Sequence, residues 1–423
     1  MYARWRERRV ICSCLHRARL QTPARLFKAG SMSEWPQIPT EPAFVQNPYR
    51  AYALACARAP VQYWPAYGMT AVFSHALVAK ILKDRRFGRE PIDPVQFPDH
   101  LAPFYAIEAH SMLELEPPRH TRLRGLVLRA FTSRRIKELT PEIDALCEDL
   151  LGKLPTDAPF DLIDTYAAPI PIIIICRLLG VPEDMANQLL KWSNDMVAMY
   201  QARRDRTIED KASRASSDFS DFIRSYAIEK RKNPADDLIT QLLTAEDDGQ
   251  KLSMEELITT CILLLNAGHE ATVHTIGNGV KTLIETKTPA SALAETTIDQ
   301  TVEEILRYDP PLHVFTRYCY EDITLGDHAF KRGDDIALML AAANRDAKTW
   351  PAPDHFDPTR KIQTNTSFGG GLHFCVGAPL ARLELRVALP KLFARFPSLH
   401  ITEPPKYANL YHFHGLERLM VRA

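Results

Sequence analysis

The feature that most limits the fold is one long helical stretch. Ser253 can cap a helix, Glu256 three residues later closes a capping box, and apolar residues then recur with helical period to about Ile284. Thirty-odd residues make a rod of roughly 45–50 Å. Such a helix is expected to run through the middle of the fold, with the remaining chain built around it. Gly268 inside it costs about 1 kcal/mol relative to Ala and is expected to open space beside Glu270. The centre of the stretch reads NAGHEATVH, Asn266–His274. A zinc helix needs two His at i and i+4 on one face. His269 and His274 are at i and i+5, roughly 140° apart around the axis, so they do not share a zinc ion. They are expected to face protein or solvent.

The rest of the chain reads as mostly helical with a minor β part. Helical patterns cover Tyr49–Arg58, Pro118–Ala130, Pro141–Leu154, Tyr166–Leu179, Pro182–Gln201, Ile208–Lys232, Asp236–Glu246, Ile298–Tyr308 and Ala378–Phe396. Gln62–Phe73 predicts a strand pair turning at Tyr67-Gly68, and Val314–Leu325 is rich in β-branched and aromatic residues. Pro91–Pro103 and Asn344–Arg360 are turn-rich and predict loops. There is no internal repeat or obvious linker. One large domain over residues 32–423 is therefore expected.

Residues 1–31 differ. They carry Arg4, Arg6, Arg8, Arg9, Arg17, Arg19, Arg25 and Lys28 against one acid, Glu7. Arg-rich, acid-poor composition can mark a mitochondrial transit peptide. The simpler expectation is a disordered or non-native basic extension, with Met32 as the start. Cys12, Cys14 and His16 fall in this segment and make a weak metal set.

Net charge is zero, which gives no electrostatic case for nucleic acid or an anionic membrane. Ala167–Val181 (AAPIPIIIICRLLGV) is the most apolar segment, but Pro169, Pro171 and Arg177 break it and it falls short of the roughly 20 residues a span needs. It predicts a buried helix, and no membrane anchor is expected. Eight irregularly spaced Cys do not form a secreted disulfide pattern. A reducing compartment, the cytoplasm, is expected.

The densest chemical signal is Phe368–Arg382, FGGGLHFCVGAPLAR. Glycines let a flat ligand approach the main chain. Cys375 lies just before a predicted helix, whose N–H groups stabilise a thiolate. Such a thiolate serves as a nucleophile or as an axial haem ligand, and spacing alone leaves both open. FGGGLHFCVG resembles the cysteine-ligand signature F-G-x-G-x-H-x-C-x-G of the cytochrome P-450 superfamily, the haem-thiolate monooxygenases. Three further stretches follow that family's order. Ala267–Thr272 resembles its oxygen-binding stretch, Glu304-Ile-Leu-Arg307 its E-x-x-R helix, and Asn344–Arg360 its meander. The resemblance runs from about Trp35 to the C-terminus and is greatest to soluble bacterial members.

That resemblance implies a single cytochrome P-450-like domain holding haem b, with Cys375 as the axial ligand of the iron and Phe368 and Gly377 beside it. His120, Arg124, Arg317 and His373 match propionate contacts. Glu304 and Arg307 would lock the core with an Arg of the meander, Arg360. Glu270 matches the acid of proton delivery. Most members have Thr next, where this chain has Ala271, and Thr272 comes about 100° further round the helix. Some members with this Ala use a substrate hydroxyl or ordered water as the relay.

The implied pocket is lined by Pro91–Met112, a loop, and by Asp195–Arg203, Leu264–Ala267, Leu312–Phe315 and Tyr411–Gly415, with Tyr105, Tyr200 and His412 as polar handles. The implied activity is hydroxylation or epoxidation of a hydrophobic organic substrate with O2. No dinucleotide fingerprint is evident, so electrons are expected from a separate ferredoxin and ferredoxin reductase, docking near Arg122, Arg124 and Arg129. The alternatives are a peroxide-driven peroxygenase or isomerase, and a non-catalytic haem sensor.

Overall fold

A computed structural model describes residues 32–200, 204–247, 249–410 and 413–423. The basic segment 1–31, with Cys12, Cys14 and His16, lies outside the described residues, as do Gln201–Arg203, Tyr411 and His412.

The central helix is Met254–Glu285, with the capping box formed by the Ser253 and Glu256 side chains. Burial goes most of the way round it, through Leu257, Ile258, Cys261, Leu265, Val273, Ile276 and Val280, as expected of a helix inside a core. It packs against Pro169–Leu179, Ala186–Val197, Arg206–Lys232, Ile298–Tyr308 and Ala378–Arg395. A Cβ on Gly268 would make ordinary contact with Ile175 at 3.6 Å. The space there lies against Ile175, a correction to the gap expected beside Glu270.

The largest sheet of the β part is five-stranded, ordered Val61–Trp64, Met69–Val72, Asp335–Met339, Val314–Cys319 and Phe87–Gly88. The first pair is the predicted hairpin, Val61 opposite Val72, with Gly68 in its turn at φ +65°. Val314–Cys319 carries Arg317 at its centre and pairs antiparallel with Asp335–Met339. The predicted strand to Leu325 is split: Ile323–Leu325 forms its own hairpin with His328–Phe330.

Three other expectations are corrected. Pro91–Met112 is not a loop throughout, because Asp99–Leu101 and Ala102–Glu108 are helical. Its apolar residues Leu101, Phe104, Tyr105 and Ile107 give it a buried side, and the prolines on which the loop was argued lie mostly at its start. Pro182–Gln201 is three pieces, Glu183–Met185, Ala186–Val197 and Ala198–Tyr200. Tyr166–Leu179 begins as a π-turn over Ile163–Ala167 before Pro169 restarts an α-helix, since Pro is tolerated at a helix's first turn. Among the described residues, no helix is long and apolar enough to cross a membrane.

Candidate active site

Cys375 sits where the glycine loop meets the helix Ala378–Arg395. Gly371 adopts φ +65°, and a Cβ there would lie 2.3 Å from the Leu82 carbonyl oxygen. Gly369 has φ +69°, and its Cβ would press on the Phe315 ring at 2.9 Å. Both positions therefore demand glycine. The Cys375 N–H donates to the Phe368 carbonyl at 3.0 Å, which sets the height of the loop. Burial pushes the thiol up, while the N–H groups of Gly377 and Ala378, and the charges of Arg124 and Arg382, pull the other way. The thiol lies deep in the molecule, yet Cys375 is open to water-sized space. Phe374 beside it is also exposed, and the Phe368 ring lies under the Arg382 guanidinium at 4.5 Å.

Cations gather on this side. The rings of His120 and His373 are 4.5 Å apart. Both ring nitrogens of His120 are buried with no protein partner among the described residues, and burial followed by His373 pushes this imidazole down to about 4. Arg317 is buried, donates to the Thr316 carbonyl at 2.8 Å, and is brought down to about 9 by burial and then by Arg89. Arg124 donates to the Phe374 carbonyl at 2.6 Å. Two acids stand among them. Glu116 accepts from the Arg89 N–H at 2.7 Å and lies 2.9 Å from His373 Nε2, and Glu114 pairs with Arg89. His373, expected to meet a propionate, is thus held by Glu116 in this structure, and neither Arg89 nor Glu116 was singled out from the sequence.

An orphaned buried imidazole and a buried guanidinium beside an open thiol fit a haem, whose iron takes a thiolate and whose two carboxylates accept hydrogen bonds and need positive charge. His120 has ring nitrogens without a protein partner among the described residues, and Arg317 brings a buried charge. Arg124, pointed at the thiol's own loop, would act from its edge.

The E-x-x-R pair is fully built. Glu304 and Arg307 are 2% and 1% exposed, and Arg307 grips both carboxylate oxygens at 2.7 Å. Arg360 Nε reaches Glu304 Oε2 at 3.0 Å, and the Asp357 N–H reaches Oε1 at 2.9 Å. Arg307 also donates to the carbonyls of Asn344 and Pro353, at 3.0 and 2.8 Å. A buried pair with every remaining donor satisfied is the case in which desolvation is offset. It ties the helix Ile298–Tyr308 to the meander.

On the central helix, Ala267 is open where its neighbours Leu264, Leu265 and His269 are buried. Glu270 lies 3.1 Å from His274 Nε2 and 3.3 Å from His269 Nε2. Burial raises this carboxyl, but the neighbouring His269 and His274 side chains, the second hydrogen-bonded to it, more than offset that and hold Glu270 below the usual carboxylate range. Both His do face protein, as expected, but their clamp on Glu270 was missed. It was legible in part, since Glu270 and His274 are at i and i+4. Thr272 is buried, and its hydroxyl returns to the Gly268 carbonyl of its own helix at 3.5 Å. It is not brought to Glu270. Near the helix start, Arg122 pairs with Glu256, so that guanidinium is not offered to a partner, a correction to the docking patch.

Part of the expected pocket wall comes together. Tyr200 Oη donates to Glu108 at 3.2 Å, and burial followed by Glu114 pushes the Glu108 carboxyl up to about 8. Tyr105 stacks on Phe97 at 4.3 Å. Leu312 bridges to Phe413. The Glu108 carboxyl was not anticipated in a wall read as apolar.

The sequence profile of the Cytochrome P450 family matches residues 62–410. The chain is 40% identical over 362 residues to the vitamin D(3) 25-hydroxylase of Pseudonocardia autotrophica, covering 84% of this chain and 88% of that one. It is 35% identical over 367 residues to the 6-deoxyerythronolide B hydroxylase of Saccharopolyspora erythraea, covering 84% and 89%. Among solved structures it resembles P450BioI in complex with a hexadec-9Z-enoic acid-ligated acyl carrier protein, at TM-score 0.86 and 31% identity, over 90% of this chain and 99% of that one. A thiol on a glycine loop, a buried E-x-x-R triad and a family match across most of the sequence agree: this chain belongs to the cytochrome P450 family of haem-thiolate monooxygenases.

Proposed function

We propose that the protein is a haem b monooxygenase that hydroxylates or epoxidises a hydrophobic organic substrate, with electrons from a separate ferredoxin and ferredoxin reductase. The observation that carries this reading is the exposed Cys375 thiol, held beneath two backbone N–H groups and flanked by the His120 ring, which has no protein partner among the described residues, and by the buried Arg317. When bound, haem supplies the oxidation chemistry, and a thiolate ligand favours O–O cleavage.

The chain's own residues do the rest. Cys375 binds the iron, with Phe368 and Gly377 shaping its loop. His120, Arg317 and His373 would hold the propionates, His373 in place of its contact with Glu116, and Arg124 secures the loop at Phe374. Glu304, Arg307 and Arg360 fix the meander against the core. Glu270 holds a proton-transfer site at the middle of the central helix. Thr272 would act only after turning its hydroxyl away from Gly268. Arg129, with Arg124, offers positive charge to an acidic ferredoxin, and unchanged transfer kinetics after charge reversal at Arg129 would argue against that role. The relatives named as hydroxylases support C–H hydroxylation as the reaction type.

The test is the absorption spectrum of the reduced, carbon monoxide-treated protein. A red-shifted thiolate-type band in wild type that is lost in Cys375→Ala is the expected result. An imidazole-type band, unaffected by the substitution, would overturn the assignment. Ala271, with the Thr272 hydroxyl turned back on its own helix, favours one second reading, a peroxide-driven peroxygenase. Turnover with peroxide alone at the rate of the ferredoxin system would select it.

A further inference from the structure

Beyond Glu270 the central helix continues into a run of buried polar groups that the reading above does not use. His274 bonds Glu270 through Nε2, and its Nδ1 is buried with no protein partner among the described residues. Gly415 lies over the face of this ring, where a Cβ would fall 1.9 Å from Nδ1 and 2.2 Å from Cγ. Asn278, one turn on and on the same helix face, donates to the carbonyls of His414 and Asp309 at 2.9 and 3.2 Å. Its Oδ1 is also buried without a protein partner among the described residues. His414 Nε2 lies 3.5 Å from Asp309 Oδ1, its ring stacks on Tyr407 at 3.7 Å, and Tyr407 Oη donates to Asp309 Oδ2 at 2.6 Å.

Asp309, Tyr407 and His414 line a cleft of about 240 Å³, together with Tyr49, Lys281 and Arg345. Solvent thus reaches one end of a polar series whose other end is Glu270. Buried polar atoms lacking partners are where proteins hold internal water, and His274 Nδ1 and Asn278 Oδ1 supply two of its contacts.

We propose that Asp309, His414 and His274, joined by a water held between His274 and Asn278, carry protons from the cleft to Glu270. The proposal rests on Glu270 serving as the proton-delivering acid of a P450. The family's reaction consumes two protons and two electrons per O2, with one oxygen atom going to product and one to water. The electrons come from the redox partner. Along the chain, His274 accepts a proton at Nδ1 and releases one from Nε2 to Glu270, and a half-turn of the ring about Cβ–Cγ restores the starting tautomer without returning the proton. The charged and titratable groups around His274 and His414 are Glu270, with His269 on its other oxygen, and His313, Asp309, Tyr49, Tyr407, Lys281 and Arg345. Burial first, then Lys281, His274 and Arg345, keep the His414 imidazole neutral, so it can both accept and release a proton.

The test compares wild type with His274→Phe, Asp309→Asn and His414→Phe, the last keeping the stack on Tyr407. Product formed per electron pair, the solvent isotope effect on kcat and the infrared band of the Glu270 carboxylate are measured across pH. A relay predicts a fall of about tenfold or more in kcat, peroxide released in place of product, and a raised isotope effect in all three variants. The Glu270 band should move only in His274→Phe, because Asp309 and His414 do not touch it. Wild-type coupling and isotope effect in His274→Phe and His414→Phe would overturn the proposal. So would effects confined to His274→Phe, which would make His274 a clamp and no more. The carbon monoxide spectrum of the same samples separates this failure from failure of the haem-thiolate reading, and the infrared titration reads the Glu270–His274 contact without turnover.

Discussion

Glu384 offers a prediction whose size follows from its surroundings. It lies on the helix Ala378–Arg395, nine residues past Cys375, and is 1% exposed with neither carboxylate oxygen partnered among the described residues. Burial alone pushes its carboxyl up to about 8. The folded protein thus keeps the proton while the unfolded chain releases it near the ordinary value of about 4.5. With more protons bound in the fold, stability is fully present below about pH 4.5 and falls as pH rises towards about 8. The slope is roughly 1.4 kcal/mol per pH unit, about 3 kcal/mol by pH 7 and about 5 kcal/mol across the window. Glu384→Gln has nearly the same shape and no proton to lose. The variant is expected to match wild type at pH 5 and to exceed it by about 3 kcal/mol at pH 7, within a factor of two. Urea denaturation of the holoprotein at pH 5, 6, 7 and 8, followed by tryptophan fluorescence and the haem band together, measures the difference. A gap that stays constant with pH would refute the reasoning, because it would mean that Glu384 is ionised in the fold.

Other expectations concern the haem pocket and its frame. Removing one partner of the buried pair, by Arg307→Ala or Glu304→Ala, is expected to cost about 3–5 kcal/mol and to release haem, read by thermal melts and haem content. Arg317→Ala removes a buried cation facing the propionate region, and charge-assisted hydrogen bonds of about 1.5–3 kcal/mol predict haem retention weakened by about tenfold to a hundredfold in transfer to apomyoglobin. Gly415→Ala puts a methyl group against His274 Nδ1. Loss of the His274–Glu270 contact should then raise the pH at which the Glu270 carboxylate band titrates, and an unmoved band would show that the ring had kept its place.

Legibility followed the distance in sequence between interacting groups. The capping box of Ser253 and Glu256, the E-x-x-R pair and the glycine loop are set by neighbours within a few residues, and they appear as expected. The long central helix was readable because its apolar residues repeat over many turns. The helix Ala102–Glu108 was missed because nearby prolines suggested a loop, although Pro103 sits in its first turn, where it is tolerated. The break before Tyr200 left no periodic trace. Glu116 against His373, Arg122 against Glu256 and His414 against Asp309 join residues 257, 134 and 105 positions apart, and no local pattern encodes such pairs.

Residue types and their local spacing set the chemistry on offer. A thiol between glycines at a helix start, an acid inside a buried helix and a set of cations in a given order all follow from side-chain type and helical spacing. Only the tertiary structure decided which of these groups meet. It turned Thr272 back on its own helix, gave His373 to Glu116, left His120 without a protein partner among the described residues, and set Asp309 and His414 on the wall of a cleft. The physical reason is that hydrogen bonds and charge pairs act over a few ångströms in space. Sequence spacing fixes such distances only within one element, and packing fixes them between elements.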